Sequence, residues 1–168
     1  VNFPITGLTP PAGHRSYNPV YEAAENNGLP ITLQPTIGLK SFHQQFFDSD
    51  YFAEDAAYHQ PFLTMQHLAS IMFEGVPERY PGVDFVLLDA GIGWAPYLTM
   101  RMDDHYLELG YEVPALEKLP GEYLKDSFYW GTAPMGDQAS NPTNDYVAKM
   151  IRMTGVDNVL YASDLPHP

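Results

Sequence analysis

Four short apolar runs, each closed by a polar or turn residue, constrain this chain more than anything else in it. They are Ile31-Thr32-Leu33 closing on Gln34, Phe85-Val86-Leu87-Leu88 on Asp89, Phe128-Tyr129-Trp130 on Gly131-Thr132, and Val159-Leu160-Tyr161-Ala162 on Ser163-Asp164. Runs this short and this continuously apolar fit parallel strands buried on both faces. Residues 1–5 read as a fifth strand. Helical patterns lie between them. Asn18 is a natural cap, Pro19 suits the first turn, and Gly28 ends that helix. Phe62, Met65, Leu68, Ala69, Met72 and Phe73 recur at helical spacing. A third helix is expected from about 95 towards 107. A fourth should start near 143, carry Val147, Met150, Ile151 and Thr154, and stop at Gly155. Alternating strands and helices specify an α/β fold with right-handed crossovers. The stretches 35–60, 108–121 and 133–142 read as irregular, placed where strand-tip lids and specificity loops are built.

The C-terminal tips of parallel strands share one edge, and that edge holds the chemistry of barrels and open α/β sheets. Gln34, Asp89 and Asp164 would converge there. A carboxylate at such a tip ligates a divalent metal or acts as general base towards a water. The competing reading is a carboxylate that caps a helix or bonds loop amides. Asp164 ends a buried run abruptly, and Pro166 and His167 follow in a tight polar turn. Asp89 has ready local partners in the Ala90-Gly91-Ile92-Gly93 turn. That turn is not a dinucleotide loop, because the third glycine of the fingerprint is missing. Of the six histidines, none pair four residues apart and none form His-x-His. They read as structural or solvent-facing, with His59 and His67 the outside candidates. Trp94 and the tyrosines either pack the core or line a pocket.

Charge narrows the class of function. Asp and Glu number 21 against 8 Lys and Arg, for a formal charge of −13. With no basic patch to neutralise phosphates, nucleic-acid binding is not expected. No apolar run is long enough to span a bilayer, and no signal-like segment opens the sequence. The absence of cysteine excludes disulfides and thiolate metal sites and makes a cytoplasmic protein the default. Dispersed acids with few lysines suit a halophilic as well as an ordinary acidic enzyme. A chain that opens on Val1 within a strand-like segment and ends abruptly is expected to be an excerpt of a longer one or a processed product.

Several ordered motifs carry a resemblance. They begin with Tyr17-Asn18-Pro19-Val20-Tyr21-Glu22-Ala23-Ala24-Glu25 and Leu29-Pro30-Ile31-Thr32-Leu33. Phe73-Glu74-Gly75-Val76-Pro77-Glu78-Arg79-Tyr80-Pro81 and Phe85-Val86-Leu87-Leu88-Asp89-Ala90-Gly91-Ile92-Gly93-Trp94 follow. Gly121-Glu122-Tyr123-Leu124, Phe128-Tyr129-Trp130-Gly131-Thr132-Ala133-Pro134 and Leu160-Tyr161-Ala162-Ser163-Asp164-Leu165-Pro166-His167 complete the set. Together they are similar to the amidohydrolase-2 type of metal-dependent barrel enzyme over nearly the whole chain. That resemblance implies a (β/α)8 TIM barrel of which residues 1–168 supply about strands four to eight of a single domain. It also implies a hydrolase, or a non-oxidative decarboxylase, acting on a small carboxylated or cyclic substrate, with hydrolysis favoured.

The resemblance implies roles as well. Asp164 matches the last-strand aspartate that ligates the metal and orients or deprotonates bound water. The strand-five metal histidine falls on Gln34, the sixth-strand acid/base histidine falls on Asp89, and the family's first-strand His-x-His lies outside the sequence. The expected assignments are therefore Asp164 and Asp89 as catalytic residues, and Asp164 and Gln34 as ligands of a divalent metal, zinc first. Gln34, His167 and Trp94 are expected at the substrate, with His167 orienting the Asp164 loop. An amide oxygen is a poorer zinc ligand than imidazole, so Gln34 points to an oxygen-preferring site or to a barrel without metal. The rival reading is a catalytically silent homologue that binds a ligand or serves as an assembly subunit. Five strands alone expose two sheet edges, so a homo-oligomer or association with the remaining barrel half is expected.

Overall fold

The computed structural model describes residues 1–35, 52–134 and 145–162. Five strands, β1 (Asn2–Pro4), β2 (Ile31–Gln34), β3 (Phe85–Leu87), β4 (Phe128–Gly131) and β5 (Val159–Leu160), form one sheet in sequence order. Every pairing is parallel, with Pro4 opposite Gln34, Leu33 opposite Leu87, Leu87 opposite Trp130 and Gly131 opposite Leu160. Helices α1 (Asn18–Asn26), α2 (Phe52–Phe73), α3 (Val76–Arg79), α4 (Ala95–Leu109), α5 (Pro120–Ser127) and α6 (Asp145–Thr154) fill the crossovers. The strand order never reverses, which is barrel winding and not the doubly wound arrangement.

The sheet has one closed and one open face. Phe3, Ile31, Leu33, Phe85, Leu87, Phe128 and Trp130 alternate onto the buried side. There Phe85 stacks on Phe128 at 4.6 Å between ring centres, and Tyr21 of α1 packs 6.0 Å from Phe85. Asn2 and Pro4 are exposed on the other face, and Thr32, Val86 and Tyr129 are only half-buried. Burial on both faces is thus corrected to burial on one. A closed barrel fills the second face with side chains from strands across its interior.

All four expected helices form, and α3 and α5 join them. α2 starts at Phe52, ten residues before the Phe62 start of the apolar pattern, and continues through Pro61. Proline reads as a helix boundary because it removes a donor and crowds the preceding turn, which is why residues 52–60 look irregular in sequence. α5 lies partly inside the stretch 108–121 and lacks a Ser, Thr, Asp or Asn cap. Its start is fixed by Pro120 in the first turn and by the Glu122 carboxylate, which accepts from Leu119 N–H at 2.9 Å.

α2 is stitched to the loop that follows β1. His67, fully buried, accepts from Ala12 N–H at Nδ1 over 3.0 Å, and Ser70 Oγ accepts from Gly13 N–H at 3.0 Å. His67 is therefore a structural residue, not a ligand. Burial lowers its pKa to about 4, against a smaller opposing effect of the Ile5 backbone. A folded-state pKa below the unfolded 6.5 means the unfolded chain takes up the proton first as pH falls. The contribution is complete above the unfolded pKa and is lost towards the folded one. Stability should drop between pH 6.5 and about 4, by up to roughly 3 kcal/mol from this group. Urea unfolding across that range checks it, and a His67→Gln chain that shows the same slope would refute the assignment.

Candidate active site at the strand tips

Parallel pairing brings the C-terminal tips of β2, β3, β4 and β5 to one edge. Gln34 is the last residue of β2. Beyond β3, Leu88 N–H still donates to Leu33 O at 3.0 Å, and the backbone then turns sharply at Asp89 with φ of 58°. That left-handed conformation is uncommon outside glycine, and aspartate and asparagine tolerate it best. With the chain so turned, Gln34 Nε2 donates to Asp89 Oδ2 at 2.5 Å. On its other side Gln34 Oε1 accepts from Asn2 Nδ2 at 3.3 Å, and Thr32 Oγ1 donates to Asn2 Oδ1 at 3.2 Å. A polar ladder thus crosses three strands on the open face and ends at the Asp89 carboxylate. The two bonds fix the amide orientation, nitrogen towards the carboxylate and oxygen away from it.

The turn after Asp89 leans on the β4 tip. Gly91 has φ of 65°, and its N–H donates to Ala133 O at 3.1 Å. A side chain at Gly91 would start 3.2 Å from Pro134 O, so this close approach needs glycine. Trp94 is buried behind the turn, its indole N–H donating to Ala90 O at 2.7 Å and its ring edge-on to Trp130 at 5.4 Å. Its polar group is already engaged, and what it has left for a ligand is a small part of the ring. A mainly apolar cleft of about 540 Å³ opens beside the turn, lined by residues 90–93, Pro134 and Tyr146, Val147 and Met150 of α6.

β4 also holds the β5 tip. Thr132, buried one residue past β4, donates its N–H to Leu160 O at 3.0 Å, and its Oγ1 accepts from Ala162 N–H at 2.9 Å. Asp164 and His167 lie outside the described residues, two and five positions beyond this anchored alanine. Asn2 and Thr132 are the supporting residues that sequence reasoning missed. Thr132 sits where a strand closes on a polar residue, and that was the available signal; Asn2 had none.

Among the described residues no three His, Cys, Asp or Glu side chains are grouped as a metal centre needs. The described tips offer the Asp89 carboxylate and the Gln34 amide oxygen, which keeps a free lone pair beside its bond from Asn2. These are oxygen donors only. Also among the described residues, no helix is long and apolar enough to cross a membrane.

Solved structures share this fold. The chain is similar to 5-carboxyvanillate decarboxylase from Sphingomonas paucimobilis, with 23% identity and a TM-score of 0.76 over 99% of this chain and 48% of that one. It is similar to a dihydroxybenzoic acid decarboxylase from Polaromonas sp. JS666, solved with manganese and the inhibitor 2-nitroresorcinol, with 20% identity and a TM-score of 0.70 over 95% and 46%. A 5-carboxyvanillate decarboxylase from Novosphingobium aromaticivorans, also with manganese, matches at 17% identity and a TM-score of 0.72 over 99% and 47%. The chain thus spans about half the length of the structures it matches, and its five parallel strands are part of a (β/α)8 TIM barrel. No curated protein matches it. The amidohydrolase family model matches residues 3–168, and with that reach over the sequence the chain belongs to the amidohydrolase family.

Proposed function

We propose that the strand-tip edge is half of the metal-assisted active site of a non-oxidative decarboxylase or hydrolase for a small, cyclic, carboxylated substrate. The observation that carries this reading is the 2.5 Å contact of Gln34 with Asp89 at adjacent strand tips, where barrel chemistry is built. The similar structures that are decarboxylases of aromatic acids favour decarboxylation over the hydrolysis expected from sequence. In that reaction the bond from ring carbon to carboxylate breaks, carbon dioxide leaves, and its electron pair is taken up by a proton delivered to the ring carbon. Asp89 delivers that proton and recovers one from water, while Gln34 holds the carboxyl in place. The apolar cleft beside the turn receives the ring and excludes water. Trp94 acts on the substrate through the Asp89 turn, and His167 orients the Asp164 loop.

A divalent ion would be held by Gln34 Oε1 and the Asp164 carboxylate. Oxygen donors suit a manganese-class ion better than zinc, and the manganese in two of the similar structures supports that choice. When bound, the ion supplies Lewis acidity at the substrate carboxylate.

Asp164→Asn in the full natural chain is expected to abolish carbon dioxide release from a panel of hydroxylated aromatic acids without changing the circular dichroism. Unchanged turnover would sink the assignment. A second reading, a silent binding or assembly subunit, draws on Gln34, which stands where the resemblance implies a metal-binding histidine. Elemental analysis finding no metal, together with no turnover, would favour it.

A further inference from the structure

Helix α4 has two apolar stripes, and the core uses one of them. Ala95 and Met102 are buried, and Leu98 and Tyr106 pack against the core. On the opposite side Tyr97, Met100 and Leu107 stand 58%, 55% and 74% exposed, with Tyr111 of the following 3₁₀ turn (Gly110–Glu112) at 76%. With exposed Asp104 the positions run 97, 100, 104, 107, 111, in steps of three and four. That is the spacing of a seam between paired helices. A solvated face in a chain this rich in acids has no need of four large apolar side chains.

We infer that this outer face of α4 is an interaction surface for a second copy of the same chain, packed antiparallel about a two-fold axis beside Asp104. The pattern is self-complementary about that point. Tyr97 meets Tyr111 of the second copy, and Met100 meets Leu107. Arg101 and Glu108, both exposed on one flank two turns apart, then meet each other's counterparts at both ends of the pair. An isologous contact requires this: each residue contacts a partner that contacts it back. Among the described residues Arg101 reaches His105, at 2.7 Å, and Glu108 lies 3.8 Å from the same histidine. Both charges therefore keep capacity for a partner. Asp104 faces its own copy at the axis, the one unfavourable element of the pairing. The surface lies on the outer side of the helix layer, away from the open sheet face, and does not depend on the reaction proposed above.

Sedimentation equilibrium of the full natural chain tests it. The unaltered chain is expected to dimerise, and Leu107→Asp to weaken the dimer by about 100-fold or more. Arg101→Glu alone should weaken it about tenfold, R101E combined with E108R should restore it, and Asp104→Asn should tighten it. A monomeric parent overturns the inference. So does a dimer indifferent to Leu107→Asp, which would mean association through a different surface. A double charge exchange that fails to restore what the single change weakened also overturns it, because then the surface does not meet itself.

Discussion

Asp89→Asn is expected to lower turnover by about 10²–10⁴-fold, the span of a lost general acid–base group, and to leave the melting temperature unchanged. Asparagine is the replacement that isolates chemistry from folding here. It has the same shape, it accepts the left-handed backbone at φ 58°, and its oxygen can still take the Gln34 amide hydrogen. What it cannot do is hold and release a proton. Asp89→Ala would confound the measurement, since alanine in that conformation adds roughly 1–2 kcal/mol of backbone strain. Gln34→Leu should lower turnover as well, because it removes the 2.5 Å anchor of the carboxylate together with the amide that holds the substrate carboxyl and the oxygen that would hold the ion. If the asparagine chain keeps its turnover, Asp89 is a turn residue bonding the Gln34 amide, and the proton must come from elsewhere on the strand-tip edge.

The strands were readable because parallel, helix-covered strands are short apolar runs, and all four runs became strands, although the fourth keeps only Val159 and Leu160 in β5 and leaves Leu160 and Tyr161 exposed instead of buried. The shared edge was readable too, since parallel pairing alone sends Gln34 and Asp89 to one side. The contact between them was not. It depends on the left-handed turn at Asp89, and nothing in Leu88-Asp89-Ala90-Gly91 distinguishes that turn from the ordinary αR start of a helix. Trp94 illustrates a second limit. Sequence offered core or pocket without a choice, and the indole bond to Ala90 O draws it to the core side. His67 is a third case. A histidine on an apolar helix is neither ligand nor surface group until its partner is known, and that partner, Ala12 N–H, lies 55 residues away. α5 was missed because its capping uses Glu122 and Pro120 instead of a short polar N-cap.

Gly13→Ala should destabilise the protein more than a methyl group at any other described glycine. A Cβ at residue 13 would lie 2.0 Å from Ser70 O, 2.3 Å from Ser70 C and 2.7 Å from Ile71 N. All three are backbone atoms of α2, so no side-chain rotation relieves the clash. The loop must lift from the helix. Lifting breaks the Gly13–Ser70 and Ala12–His67 bonds, each 3.0 Å long, and loosens Tyr21, whose hydroxyl donates to Ala12 O at 2.8 Å. Overpacking costs about 1–3 kcal/mol, and each buried polar group left unpaired adds roughly 1–3 kcal/mol. A total near 5 kcal/mol is expected, comparable with the whole stability of a marginal domain at about 5–15 kcal/mol. In urea the midpoint should fall steeply with an unchanged slope, and the pH dependence carried by buried His67 should shrink with it. Gly28→Ala is the control. It lies in the left-handed region at φ 60° but has nothing within 4 Å of a Cβ, so only the backbone term of about 1 kcal/mol applies. Equal losses at the two sites would mean that α2 and the loop after β1 are not in close contact, and would remove the anchor by which the loop beyond β1 is held at the strand-tip edge.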